Sequence, residues 1–249
     1  MCPARDHVKP QRGRPAADNP TTHPAAARIG VVRIGPDRFN AAMETKRRTL
    51  GVLLFPGFEV LDVYGPLEMV GNLKGMIDIV MVAEHAGAVT SSQGPQTLAG
   101  EGFATCPRLD LLLVPGGIGT RKEVANEALL RWLRSAAASA EIVTSVCTGA
   151  GLLAKAGLLD GRRATTNKFA FSWVVEQGPK VEWIKEARWV DDGDRVTSSG
   201  VSAGMDMMLA LVERLYGADL ATTVAQRAEY EWHRDAAWDP FARLCGLVD

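Results

Sequence analysis

One cysteine stands inside the stretch EIVTSVCTGAGLLAKAGLL, residues 141–159, between a run of buried-strand character and a run with helical spacing. A thiol at that junction is placed to act as a nucleophile. A sharp turn from strand to helix holds the side chain out of the sheet, and the free N–H groups of the helix start supply positive potential. Both favour the thiolate at Cys147. Gly149, Ala150 and Gly151 fit this reading, because small residues let the new helix approach the sheet closely. The same pattern also suits a small buried hydrophobe, so the local sequence leaves two readings of Cys147 open.

Two further elements carry chemistry. In LLLVPGGIGT a buried strand ends in two glycines, where backbone N–H groups can face a ligand. If this strand ends beside Cys147, the N–H groups of Gly117 and Thr148 are placed to form an oxyanion-type hole, although a tight turn alone also explains the glycines. In FEVLDVYGPLEMV, Asp62 lies among Val60, Leu61, Val63 and Tyr64. An apolar setting raises a carboxyl pKa and keeps a proton available for donation; helix capping is the competing role for Asp62. Glu59 and Glu68 are alternative acids. Of four histidines, His7 and His23 precede the regular pattern and neither His85 nor His233 adjoins Cys147, so a Cys-His dyad is not the expectation.

These residues need elements to position them. From Thr49 onward the chain reads as strand TLGVLLF, helix VLDVYGPLEMVGNL, strands IDIVMVAE and LDLLLVPGG, helix KEVANEALLRWLRSAAASA, strand EIVTSV and helix TGAGLLAKAGLL. Strands apolar on both faces and alternating with helices specify a doubly wound α/β domain, a mostly parallel sheet with helices on both faces. Functional groups then gather beyond the carboxyl ends of the strands, where Cys147 falls. VEWIKEARWVDDGDRVTSSG breaks the rhythm, and Asp192-Gly193 between two alternating runs signals one added β-hairpin. SAGMDMMLALVERLYG returns to helix, with Ser202 as its expected cap and Gly217 as its stop.

Composition narrows the class. The chain has 249 residues, 47% hydrophobic and 23% charged, as in an ordinary globular protein. Residues 1–48 hold 10 Lys+Arg against 4 Asp+Glu, and the remainder 18 against 25, so the folded part is mildly acidic and a nucleic-acid partner is not expected. Residues 1–48, rich in Pro, Ala and Arg without periodicity, read as a disordered extension, with Met43 an alternative start; residues 49–249 form the expected domain. No apolar run spans a membrane and no secretory h-region is present, so a cytoplasmic protein without a membrane partner is expected. Cysteines at 2, 106, 147 and 245 show no metal-ligand spacing, so no metal is expected.

The stretches FPGFEVLDVYGPLEMV, LLLVPGG, SVCTGAGLLAKAGLLDGRRATTN and SGVSAGMDMMLALVERLYG, in this order, resemble the ThiJ/PfpI superfamily of the class I glutamine amidotransferase-like, flavodoxin-like fold, and within it the isonitrile hydratase branch. The resemblance implies a homodimer acting on a small-molecule substrate without a cofactor. Its nucleophile matches Cys147, its acid Asp62, and its threonine Thr148. Relatives typically read Thr-Thr-His where this chain has Thr165, Thr166 and Asn167; an amide donates and accepts hydrogen bonds, suits substrate binding, and is no base at neutral pH. The implied reaction is hydration of an isonitrile to an N-substituted formamide. Two rivals share the need for an accessible thiol: an enzyme acting on reactive carbonyls such as 2-oxoaldehydes, and a thiol redox sensor. Aromatic residues Tyr230, Trp232, Trp238 and Phe241 cover a subunit interface, roof the site, or pack on their own domain.

Overall fold

In the computed structural model, which describes residues 46–249, the apolar run at Arg48–Leu53 forms β1, an inner strand of a seven-stranded sheet. The chain continues through α1 (Val60–Gly71), β2 (Ile77–Ala83), the hairpin strands β3 (Gly87–Thr90) and β4 (Gln96–Ala99), a short β5 (Glu101–Gly102) and β6 (Leu111–Val114). Then follow α2 (Thr120–Glu123), α3 (Glu127–Ser139), β7 (Ile142–Val146), α4 (Gly149–Lys155), β8 (Arg163–Ala164), α5 (Phe171–Gln177) and β9 (Glu182–Trp183). The last elements are β10 (Trp189–Asp191), β11 (Arg195–Ser198), α6 (Ala203–Tyr216), α7 (Ala218–Arg227) and α8 (Pro240–Leu244).

The strand order is β10-β11-β7-β6-β1-β2-β5, with every neighbouring pair parallel except β10 and β11. Registers such as Leu50 beside Leu111, and Leu111 beside Ile142, stack buried aliphatic side chains across the sheet. Helices α1, α6 and α7 pack on one another, α4 packs with α2, α3 and α5, and β7 meets both α4 and α6. This is the expected doubly wound α/β arrangement. From β1 the chain runs outward through β2 to β5 and then crosses back to β6 on the other side of β1. The carboxyl ends of β1 and β6 therefore flank a switch point, the place where such folds form sites.

Several local expectations change. The helix expected from Lys122 to Ala140 is two helices, because Asn126 starts a new one: its Oδ1 accepts from the N–H of Ala128 at 3.0 Å and of Leu129 at 3.2 Å. Helix α4 ends at Lys155, and Gly157 follows at φ 76°. Ser202 occupies the N-cap position of α6 but makes no capping bond, whereas Gly217, at φ 97°, does end that helix. The hairpin at Asp192-Gly193 is present, and β11 also joins β7 in parallel, so the hairpin extends the main sheet. The β3–β4 hairpin was not anticipated.

The chain beyond α7 packs on its own domain. Arg188 donates its N–H to Ala236 O at 2.7 Å, Tyr230 Oη donates to Asp206 Oδ1 at 3.0 Å, and Lys168 Nζ lies 3.3 Å from Asp239 Oδ2 with both side chains buried. At the other end, Lys46 and Arg48 pair with Glu141, and Arg47 pairs with Asp78. The extension and alternative start expected before these residues lie outside the described residues. Among the described residues no helix is long and apolar enough to cross a membrane.

Candidate active site

Strand β7 delivers the chain into a bend at Cys147, whose φ of 57° is a conformation that L-residues adopt only when their surroundings enforce it. Those surroundings are visible. The Cys147 N–H donates to Ser199 O at 3.2 Å, and its carbonyl accepts from Thr166 Oγ1 at 2.8 Å. Gly149, the first residue of α4, is needed for close approach: a Cβ there would stand 2.2 Å from Val114 O. Small residues thus seat α4 against β6, as the sequence implied.

Asp62 belongs to the first turn of α1 and is completely buried. It does not cap its helix. Its Oδ2 instead accepts the Gly116 N–H at 2.8 Å, while Oδ1 is buried without a hydrogen-bond partner. Gly116 is where the groups converge: a Cβ would stand 2.5 Å from Thr148 N, 2.6 Å from Thr148 Oγ1 and 2.9 Å from Asp62 Oδ2. Gly116 belongs to the same double glycine as Gly117, the expected oxyanion donor, and no local feature of PGG distinguishes the two.

The Gly117 N–H, proposed as an oxyanion donor, bonds Thr148 Oγ1 at 3.0 Å. Thr148 is buried, and its backbone N–H and hydroxyl both act on the Cys147 sulfur. Thr120 extends this network, with Oγ1 3.2 Å from Thr148 Oγ1 and 2.7 Å from Gly117 O.

Burial pushes the Cys147 thiol well above its ordinary range, and the negative charge of Asp62 adds to this; hydrogen bonds from Thr148 oppose it without prevailing. Asp62 is likewise held well above the usual carboxylate range, first by burial and also by Glu59, against the Gly116 N–H and the Cys147 thiol. Both shifts run toward the neutral thiol and the neutral acid. Desolvation opposes the thiolate that the bend and the helix start favour, and at Asp62 it acts in the direction expected there, toward the neutral acid.

Asn167 joins this group through Gly200. A Cβ on Gly200 would stand 2.2 Å from Asn167 Nδ2 and 3.1 Å from Cys147 Sγ, so amide and thiol flank one spot. Asn167 Oδ1 accepts the Ala170 N–H at 2.9 Å, which turns Nδ2 toward the thiol side. The next residue, Lys168, anchors this loop: Nζ donates to Thr165 Oγ1 at 2.6 Å, Ala187 O at 2.9 Å and Thr166 O at 3.1 Å. Burial lowers the Lys168 pKa against the opposing charge of Asp239. Neither Gly200 nor Lys168 was singled out by the sequence, which offers no local signal for contacts made across the fold.

Other candidates fall away. Glu68 and His85 are exposed, and His233 stacks on Trp238 at 4.8 Å between ring centres. Glu59 is half-buried and accepts from Gln93 Nε2 at 2.5 Å. Cys106 is held up by burial and by Glu101, and its thiol bonds Pro107 O. A cleft of about 670 Å³ beyond β1 and β2, lined in part by Phe55, His85, Glu123 and Asn126, includes none of Cys147, Asp62, Thr148 or Asn167 in its walls. Among the described residues no three His, Cys, Asp or Glu side chains form a group that could hold a metal ion.

Known proteins carry the same arrangement of elements. The model of the DJ-1/PfpI family matches residues 48–214. Isonitrile hydratase of Pseudomonas putida is 39% identical over 181 residues, 73% of this chain and 78% of that protein. The HTH-type transcriptional regulator GbdR of Pseudomonas aeruginosa is 30% identical over 74% of this chain, which spans about half of the regulator, 51%. A solved ThiJ/PfpI family protein from Pseudomonas syringae superposes with a TM-score of 0.73 at 33% identity, covering 83% of this chain and 84% of that one. With a bent, buried cysteine after an inner parallel strand and a family model spanning most of its described residues, this chain belongs to the DJ-1/PfpI family.

Proposed function

We propose that the protein hydrates isonitriles to N-substituted formamides with Cys147 as nucleophile and Asp62 as acid. The observation that supports this reading is the pairing of a strained, buried cysteine with a buried aspartic acid that burial pushes toward its neutral form and that leaves Oδ1 without a partner. An isonitrile needs this combination. Its terminal carbon must accept both a nucleophile and a proton, and a site that supplies a neutral acid beside a thiol supplies both.

In the first step sulfur bonds to the terminal carbon, that carbon takes the Asp62 proton, and the thiol proton passes to the carboxylate left behind. The product is a thioimidate, R–N=CH–S–Cys147. Water then adds to the same carbon while its second proton reaches the nitrogen. Collapse of this adduct breaks the C–S bond, the hydroxyl proton moves to sulfur, and R–NH–CHO leaves. The Thr148 N–H stabilises negative charge as it develops; the Gly117 N–H contributes through the Thr148 hydroxyl that it already orients. Asn167 Nδ2 donates to the bound substrate or water.

The test is formamide formation from a small alkyl isonitrile by freshly reduced protein, followed by proton NMR. Cys147→Ala abolishes turnover, and Asp62→Asn lowers kcat by about 10²–10⁴-fold, the usual weight of a general acid. No formamide from the reduced wild-type protein would overturn the reading.

A further inference from the structure

Among the described residues Arg121 is a cation with no counter-ion. Its guanidinium lies over the Trp173 ring, 4.0 Å from the centre, and Nη1 donates to Thr120 Oγ1 at 3.2 Å. No carboxylate among the described residues forms an ion pair with it, whereas other surface arginines, such as Arg162 and Arg214, do pair with aspartates. Thr120 Oγ1 lies 3.2 Å from Thr148 Oγ1, so the guanidinium stands two hydrogen bonds from the hydroxyl beside Cys147. Trp173 is itself fixed: its ring packs on α4, 3.3 Å from the Cβ position of Gly151, and Gln177 Nε2 bonds its carbonyl at 3.0 Å.

We propose that Arg121 is the specificity residue of this site, receiving a carboxylate on the substrate's substituent, so that the preferred substrates are short isocyano carboxylates and not neutral alkyl isonitriles. The isocyano half of this statement rests on the function proposed above; the carboxylate half rests on Arg121 alone. Stacking occupies one face of the guanidinium and the Thr120 bond one of its five N–H groups. Nε and Nη2 remain as donors on the edge, in the planar fork that matches a carboxylate. Fixed by indole and hydroxyl, this fork loses little freedom on binding. The arrangement also answers a repulsion: Glu59 acts on Cys147 as a negative group, and an anionic substrate arriving at the thiol needs a cation to offset it.

Alkylation of Cys147 tests the receptor without any isonitrile. Reduced full-length protein is treated with iodoacetate, which carries a carboxylate, or with iodoacetamide, its neutral counterpart, and the Cys147 peptide is quantified by mass spectrometry. In Arg121→Met the ratio of the iodoacetate rate to the iodoacetamide rate falls by about tenfold relative to wild type, and Arg121→Lys, which keeps the charge and loses the fork, falls between. An unchanged ratio in both variants overturns the receptor, whatever the protein does with isonitriles. Turnover of an isocyano carboxylate beside its carboxamide gives the second arm, with the carboxylate preferred by wild type and the preference lost in Arg121→Met. A falling alkylation ratio with neither isonitrile hydrated keeps the anion receptor and removes the hydratase reading.

Discussion

Two completely buried aspartates divide this molecule between chemistry and structure. Asp206, in the first turn of α6, is fully engaged: Arg188 Nε donates to Oδ2 at 2.6 Å, and Tyr230 Oη and the His233 N–H each donate to Oδ1 at 3.0 Å. Asp62, in the first turn of α1, has one N–H from Gly116, an orphaned Oδ1 and no cation. Equal burial thus produces opposite consequences. Where an arginine and two further donors compensate desolvation, Asp206 ties the C-terminal segment to α6; where one N–H and a thiol compensate it less, burial pushes the Asp62 carboxyl toward its neutral form, the form that the proposed reaction uses.

The sharpest way to break this comparison is to remove the compensated carboxylate. Asp206→Ala leaves Arg188 buried without its partner, and the cost is about 3–5 kcal/mol of stability, the range for an orphaned buried charge. Urea unfolding at neutral pH measures it. A loss below about 1 kcal/mol would mean that Arg188 finds another acceptor and that the two aspartates differ less than their partners imply.

A smaller effect sharpens the same point. Tyr230 is pushed up to about 12, first by burial and then by the charge of Asp206 and the hydrogen bond to it. Its phenol is therefore protonated more strongly in the folded chain, and the stability this gives is complete below the unfolded pKa near 10 and lost as pH rises through about 12. Tyr230→Phe removes one donor to a carboxylate at a half-buried position and costs about 1 kcal/mol. Absorbance titration of wild type and variant identifies the late-ionising phenol; a phenol step lost near pH 10 in place of one near 12 would contradict the bond to Asp206.

The difference between the aspartates also explains what the sequence could reveal. The bend at Cys147, the double glycine and the apolar surroundings of Asp62 are each written in fewer than a dozen consecutive residues, because strand period, helix start and turn chemistry are local. The compensated aspartate is not local. Asp206 meets Arg188 and Tyr230 across gaps of 18 and 24 residues, and nothing in AGMDMML distinguishes a buried, paired aspartate from a solvated one. The same limit hid Gly200, whose importance depends on Asn167 and Cys147 passing on either side of it. The pause at Asn126 was legible in principle, since Asn before Glu-Ala-Leu-Leu is a cap signature, but it lay within a longer run of good helix formers. Burial is what local sequence handles least well: the bend at Cys147 announces an accessible thiolate, and only the assembled fold shows how much water is excluded from it.

The smallest effect in stability discriminates best at the uncompensated site. An Asn at position 62 retains an acceptor for the Gly116 N–H and, like the protonated acid, carries no charge, so near pH 4 Asp62→Asn and wild type differ by less than about 1 kcal/mol. Raising the pH separates them. With the folded-state pKa of Asp62 raised by burial, the native protein holds a proton that the unfolded chain releases from about pH 4 upward, and wild-type stability falls with pH until the folded carboxyl itself ionises. The variant has no such proton and lacks this fall. Urea unfolding of both proteins at pH 5 and pH 7 therefore shows the variant gaining on wild type as pH rises, even though it has lost the acid of the proposed reaction. The opposite trend, wild type gaining with pH, would mean that Asp62 is an ionised carboxylate stabilised like Asp206, and the proton donor would have to be sought at Glu59.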